Sequence, residues 1–154
     1  MNIFSYDELK KKACREIERL NKAEQNLLDE QTAIDHALNA AFSIYHLIQW
    51  GQNAGALTIT NKARDYVDQC TNQGLKILHD VVTCNKHVTV SKPAHKATTT
   101  PRIEDNIVHL TTQDGSIITT ENGRHLITEG SNIKVYFGNL EALAVLVDAM
   151  TEFK

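Results

Sequence analysis

Proline is almost missing from this chain, and both copies, Pro93 and Pro101, fall in one short stretch. Elsewhere nothing fixes φ and removes a backbone donor, so long helices are open to the first half of the sequence. Cysteine is scarce too. Cys14, Cys70 and Cys84 are odd in number and form no CxxC pair, which excludes a disulfide framework and suits reduced, partly buried thiols in a cytoplasm. Basic charge is not in excess: 16 Lys and Arg stand against 19 Asp and Glu, a formal net charge of −3. No global field therefore draws the chain toward nucleic acid or an anionic membrane. Long apolar runs are lacking. The longest, "ALNAAFSIYHLIQW" from Ala37 to Trp50, contains Asn39, Ser43 and His46 and falls short of the roughly 20 apolar residues that a membrane-spanning helix needs. "MNIFSYDELKKK" has its charges after the start and no apolar core, so no secretory leader is expected. Neither a phosphate-cradling glycine loop nor a GxSxG elbow occurs, which removes the usual signatures of nucleotide hydrolysis and serine-hydrolase chemistry.

The residues that are present alternate between two periods. Ser5 and Glu8 form an S-x-x-E capping box, with Phe4 placed to pack on Leu9. A first helix is predicted from about Tyr6, with Leu9, Ala13, Ile17, Leu20 and Leu27 as its apolar stripe. A second, from about Glu30 to Gln52, carries Ile34, Leu38, Ala41, Tyr45 and Ile48 on one face and stops near Gly51. A third begins near Thr60 or Asn61, breaks around "CTNQG" and resumes through Leu75, Leu78, Val81 and Val82 to about Lys86. Residues 91–104, opening with "SKPAHKATTTPR", read as a connector. After it the period becomes two, with Asp114-Gly115 and Asn122-Gly123 as hairpin turn signals. Asn139 then caps a last helix with a stripe of Leu140, Leu143, Ala144, Val147 and Met150. No internal repeat is read.

The fold class is α+β. An N-terminal antiparallel helical bundle, 1–90, precedes the connector and a four-stranded antiparallel β-meander with a C-terminal helix, 105–154, either separate or closed into one compact domain.

Two constellations bear on chemistry. Asp35, Asn39, Ser43 and His46 recur at helical spacing toward Trp50, as a polar wall facing the third helix, a solvated face, or a network in which Asp35 and Asn39 satisfy each other. "HDVVTCNKH", residues 79–87, gathers His79, Asp80, Cys84, Asn85, Lys86 and His87 at a helix end. Cys84 and His87 supply only two metal ligands where zinc takes three or four, so no metal is expected. Lys86 and His87 also suit the negative end of a helix dipole.

Taken together, "DHALNAAFSIYHLIQW" and "LKILHDVVTCNKH" resemble small helical proteins of bacteria and phages that are similar to the HEPN superfamily. The resemblance covers about residues 30–90. Asp35, Asn39, His46 and Trp50 match its first helix, and Asp80, Asn85, Lys86 and His87 its second. It implies a bundle that dimerises and, in active members, a metal-independent RNase with Arg, roughly four to six residues, then His on one helix. This sequence departs from that pattern: no arginine precedes His87 at that spacing, and His79 stands where a basic residue is expected.

The expectation is a non-catalytic cytoplasmic interaction or regulatory protein of HEPN-like descent. Asp35, Asn39, Trp50, Asp80 and Asn85 are its candidate binding residues. The alternative is a metal-independent RNase with a remodelled site, for which His46, His79, Lys86 and His87 are the catalytic candidates. No cofactor is expected. The expected partners are a second copy, through the apolar Ala37–Trp50 stretch, and a protein or RNA; no membrane is implied.

Overall fold

The computed structural model describes residues 5–26, 29–57, 62–86, 101–127 and 131–154. Helix α1, Tyr6–Gln25, starts where the cap signal places it, and Ser5 Oγ accepts from the Glu8 amide at 3.2 Å. The reciprocal half of the box is replaced: Glu8 takes Lys11 Nζ at 2.9 Å. Phe4, Leu27 and Thr60 lie outside the described residues.

Helix α2, Glu30–Asn53, is capped by Asp29, which accepts from the Thr32 amide at 3.1 Å. It runs past Gly51, the expected stop, and closes at Gly55 (φ 71°). Gly55 N–H donates to Gln52 O and Ala56 N–H to Gly51 O, a pattern that satisfies the last carbonyls. Leu57 then folds back so closely that a Cβ on Gly51 would lie 2.7 Å from Leu57 Cδ1. Tyr6 reaches Gly51, and Glu16 bonds His36 at 2.8 Å. The first two helices are therefore an antiparallel pair.

The buried side of α2 is Ala33, Ala37, Ala40, Ala41, Ile44, Leu47, Ile48 and Gly51. It is rotated from the expected stripe, because the small residues rather than Ile34 and Leu38 let α1 approach. Asp35, Asn39, His46 and Gln49 are exposed. The apolar breadth of Ala37–Trp50, which motivated a dimer through this helix, is spent largely inside the protomer.

Helices α3, Ala63–Gln69, and α4, Gln73–Lys86, are separated at the expected break. Asn72 Oδ1 accepts from the Leu75 amide at 2.7 Å, opening α4. Helix α5, Ala142–Met150, packs on α4 and buries Ala142, Val145, Leu146 and Ala149. Leu140 and Val147, expected in its stripe, are 46% and 52% exposed. The Gly138 turn (φ 62°) makes Leu140–Glu141 a short strand, so the helix begins later than Asn139 and shows a different face.

The sheet has three strands among the described residues: β1 Pro101–Asn106, β2 Asn132–Phe137 and β3 Leu140–Glu141, antiparallel in the order β1–β2–β3. The connector therefore ends before residue 104, since Pro101 already pairs with Phe137. Proline is tolerated there as the first residue of an edge strand. Ile133, Val135 and Phe137 are buried, on the face toward α1, α2 and α5. Each such side chain contributes about 1.5–3 kcal/mol on burial.

The expected four-stranded meander is not what the segment between β1 and β2 builds. Single bridges join His109 to Ile127, Thr111 to Ile117 and Thr119 to His125. The three arms thus close on each other in a ring. Its centre is three hydrogen bonds: Ile118 N–H to Leu110 O at 2.9 Å, Leu126 N–H to Ile118 O at 2.9 Å, and Leu110 N–H to Leu126 O at 2.8 Å. The two loops repeat one geometry. Thr112 N–H donates to Ser116 O and Gly115 N–H to Thr112 O; eight residues on, Thr120 N–H donates to Arg124 O and Gly123 N–H to Thr120 O. Gly115 and Gly123 have φ of 87° and 75°. An internal repeat of eight residues, "TTQDG" and "TTENG" at its turns, is thereby present where none was read. At the third corner the Ser131 hydroxyl accepts from Val108 N–H at 2.9 Å.

Candidate functional site

The candidate residues meet most closely around Tyr45. Its ring is in edge contact with the His79 imidazole, centroids 5.7 Å apart, and lies 6.5 Å from His46. Helix α2 supplies Tyr45 and His46, and α4 supplies His79 and Asp80. Position in the core decides their character: His79 is 5% exposed and Asp80 1%, whereas His46 faces solvent. His79 Nδ1 lies 3.3 Å from Asp80 Oδ1, a long contact between helix neighbours whose side chains diverge.

Arg64 and Asp68 of α3, one helical turn apart, form an ion pair at 3.6 Å. Burial pushes the Tyr45 phenol above its ordinary value; Arg64 opposes that shift and Asp68 adds to it. The phenol is thus a hydrogen-bond donor at neutral pH. From the sequence Tyr45 was read only as part of the apolar stripe of the second helix, and Arg64 and Asp68 were not singled out. The Arg64-to-Asp68 spacing is the only local signal that pointed there.

The other candidates disperse. Asp35 is exposed and accepts from Gln31 Nε2 at 2.7 Å, not from Asn39. Asn39 is exposed, and its carbonyl accepts from the buried Ser43 hydroxyl at 2.7 Å. Asp35, Asn39 and His46 of the stripe are solvated while Ser43 is buried, and among the described residues of "HDVVTCNKH" it is His79 that meets α2, at Tyr45. Trp50 is half-buried at the margin of the core. Asn85 folds back on its own helix, Nδ2 donating to Val81 O at 2.7 Å. Lys86 ends α4; its side chain and the whole of His87 lie outside the described residues. Cys14 is exposed, while Cys70 and Cys84 are partly buried, and all three are free thiols.

Among the described residues no three His, Cys, Asp or Glu side chains converge to hold a metal, and no helix is long and apolar enough to cross a membrane. The cluster holds its imidazole away from solvent, beside a protonated phenol. A general base has to reach the proton it abstracts, and His79 is enclosed.

The outer surface differs in kind. Of the large hydrophobic side chains exposed among the described residues, Val108, Leu110, Ile117 and Leu126 belong to the hairpin ring, and only Leu140 and Val147 lie elsewhere. Compared with known proteins, the chain matches no family model, no curated protein and no solved structure.

Proposed function

We propose that this is a non-catalytic interaction or regulatory protein of HEPN-like descent, acting in the cytoplasm, in which the helical body carries the hairpin ring as its presented element. One observation carries this reading: exposed apolar side chains concentrate in the ring, while the apolar residues of α2 are used inside the protomer. Exposed apolar side chains gathered on one element of an otherwise polar exterior mark it as a contact surface. The partner is a protein or a second copy, and the ring is the contact in either case. The three free thiols suit a reducing compartment.

The alternative, a metal-independent RNase with a remodelled site, draws on the meeting of His79 and Tyr45 near Arg64 and Asp68. The enclosure of His79 weighs against it. The test has two arms. Photo-crosslinking residues placed at Leu126 and, as a control, at Gln49 should give adducts in cells from the ring position alone. Incubation with structured and unstructured RNA in the presence of a chelator should give no cleavage. Chelator-resistant cleavage that is lost in a His79→Gln variant shown to be folded replaces this reading with the alternative.

A further inference from the structure

Strand β1 forms one border of the sheet, and among the described residues no strand lies beyond it. The direction of its backbone groups follows from β2. Val135 sends its N–H away from β1, to the Glu24 carboxylate, so Val135 and its register partner Ile103 are a pair without mutual hydrogen bonds. Ile103 therefore points both its N–H and its C=O outward, over the free edge. On either side of it Arg102 and Glu104 share the outer face of the strand, their side chains 42% and 52% exposed. Arg102 bonds Glu104, donates through Nε to Gly138 O at 2.8 Å and lies over the Tyr136 ring at 4.6 Å. These contacts hold the guanidinium in place before any partner arrives.

We propose that β1 is a pairing edge for the β1 of a second copy, antiparallel about a two-fold axis through Ile103, which joins the two sheets into one. An exposed edge is a template for another extended chain. Here the charges name the chain and fix the register. With Ile103 opposite its own copy, each outward N–H meets an outward C=O. Arg102 of one protomer then stands opposite Glu104 of the other, twice by symmetry. Moving the axis by one residue sets Arg102 against Arg102, or Glu104 against Glu104, and like charges directly opposite are destabilising. The central register alone of these three is self-complementary. In it Ile103, partly buried against the core, also gains its own copy as a neighbour on the inner face.

So short an edge buries little surface, so the pair is weak and reversible. It is a second contact, beyond the one proposed for the ring: Val108, Leu110, Ile117 and Leu126 all lie outside β1, Pro101–Asn106, and each protomer keeps them.

Sedimentation velocity of the full chain, from about 10 μM to about 1 mM, tests the pairing. The wild-type protein should pass from monomer to dimer across that range. Arg102→Glu sets carboxylates against carboxylates, and Glu104→Arg sets guanidinium groups against each other, so each variant alone should self-associate at least about tenfold more weakly. An equimolar mixture of the two restores opposite charges at both positions and should form a heterodimer as readily as the wild type. A wild-type protein that stays monomeric overturns the proposal, as does undiminished self-association of either variant, or a mixture that remains monomeric. A dimer that both β1 variants keep and Leu126→Lys loses belongs to the ring and overturns it too. If the charge variants do not fold, the wild-type Ile103 amide decides, with the Leu47 amide of α2 as reference. Its hydrogen exchange should slow on the order of tenfold as concentration rises through the association range; an exchange rate equal at every concentration overturns the pairing.

Discussion

Glu24 of α1 accepts a hydrogen bond from the backbone N–H of Val135 in β2, at 3.0 Å, with only 2% of its surface exposed. Strand β3 pairs with β2 only at Tyr136 and Phe137, so the carboxylate takes the place of a missing strand and ties the first helix to the sheet. Lys134 Nζ lies 3.6 Å from the other oxygen.

Burial is the largest influence on Glu24 and raises its carboxyl above the usual range, although the Val135 amide and Lys134 act in the opposite direction. A carboxyl raised on folding binds its proton more tightly in the native state. Its stabilising share is full below the ordinary value near 4.5 and is lost as pH rises through the raised native value. Glu24→Gln keeps an acceptor for Val135, so it should leave stability at pH 7 equal or higher and flatten the pH dependence in that window. Glu24→Ala leaves a buried donor unpaired and should cost about 1–3 kcal/mol. Urea denaturation across pH separates the two; equal losses in both variants would assign the effect to the charge rather than to the hydrogen bond.

The α4–α5 contact depends on a missing side chain. A Cβ on Gly74 would lie 2.6 Å from Val145 O and 2.7 Å from Ala149 N, and the Gly74 amide donates to Asp148 Oδ2 at 2.7 Å. Backbone atoms cannot swing aside. Gly74→Ala should force the helices apart at a cost of about 1–3 kcal/mol, seen as a lower denaturation midpoint with an unchanged slope.

His46 and His79 should separate cleanly. Removing the enclosed His79 imidazole deprives Tyr45 of its edge contact and opens a cavity, so His79→Ala should cost about 2–4 kcal/mol. His46→Ala, at an exposed position, should stay within about 0.5 kcal/mol. Thermal unfolding of the two variants checks this, and comparable losses would mean that His46 is held as firmly as His79.

In the ring, Gly123 has φ of 75°, a conformation a branched residue avoids at a cost of about 1–2 kcal/mol. Gly123→Val should lower amide protection at Leu110, Ile118 and Leu126 and leave α1 and α2 unchanged, since no described residue of the ring belongs to the main core. Loss of protection in the helices as well would show that ring and body unfold together.

Much of the fold was legible in local signals. Ser5 before α1, the break at Cys70–Asn72, and the glycines of both hairpin turns act through groups a few residues apart, so their physics is written in the order of the residues. The class, helices then an antiparallel sheet and a final helix, follows from the change of period. Which face each element buries was settled only in three dimensions. Helix α2 turned its alanines inward because α1 lies against them, and α5 turned Val145 and Leu146 inward because Gly74 admits its backbone. The hairpin turns were visible, but whether successive arms continue as a meander or return to the first depends on long-range closure by Leu110, Ile118 and Leu126. The candidate site divided in the same way. Sequence spacing put His79 and Asp80 at a helix end, whereas they lie in the middle of α4, Gln73–Lys86, where packing against Tyr45 encloses His79 while His46 stays exposed. A one-dimensional pattern states which side chains share a face; the neighbour that covers that face comes from elsewhere in the chain.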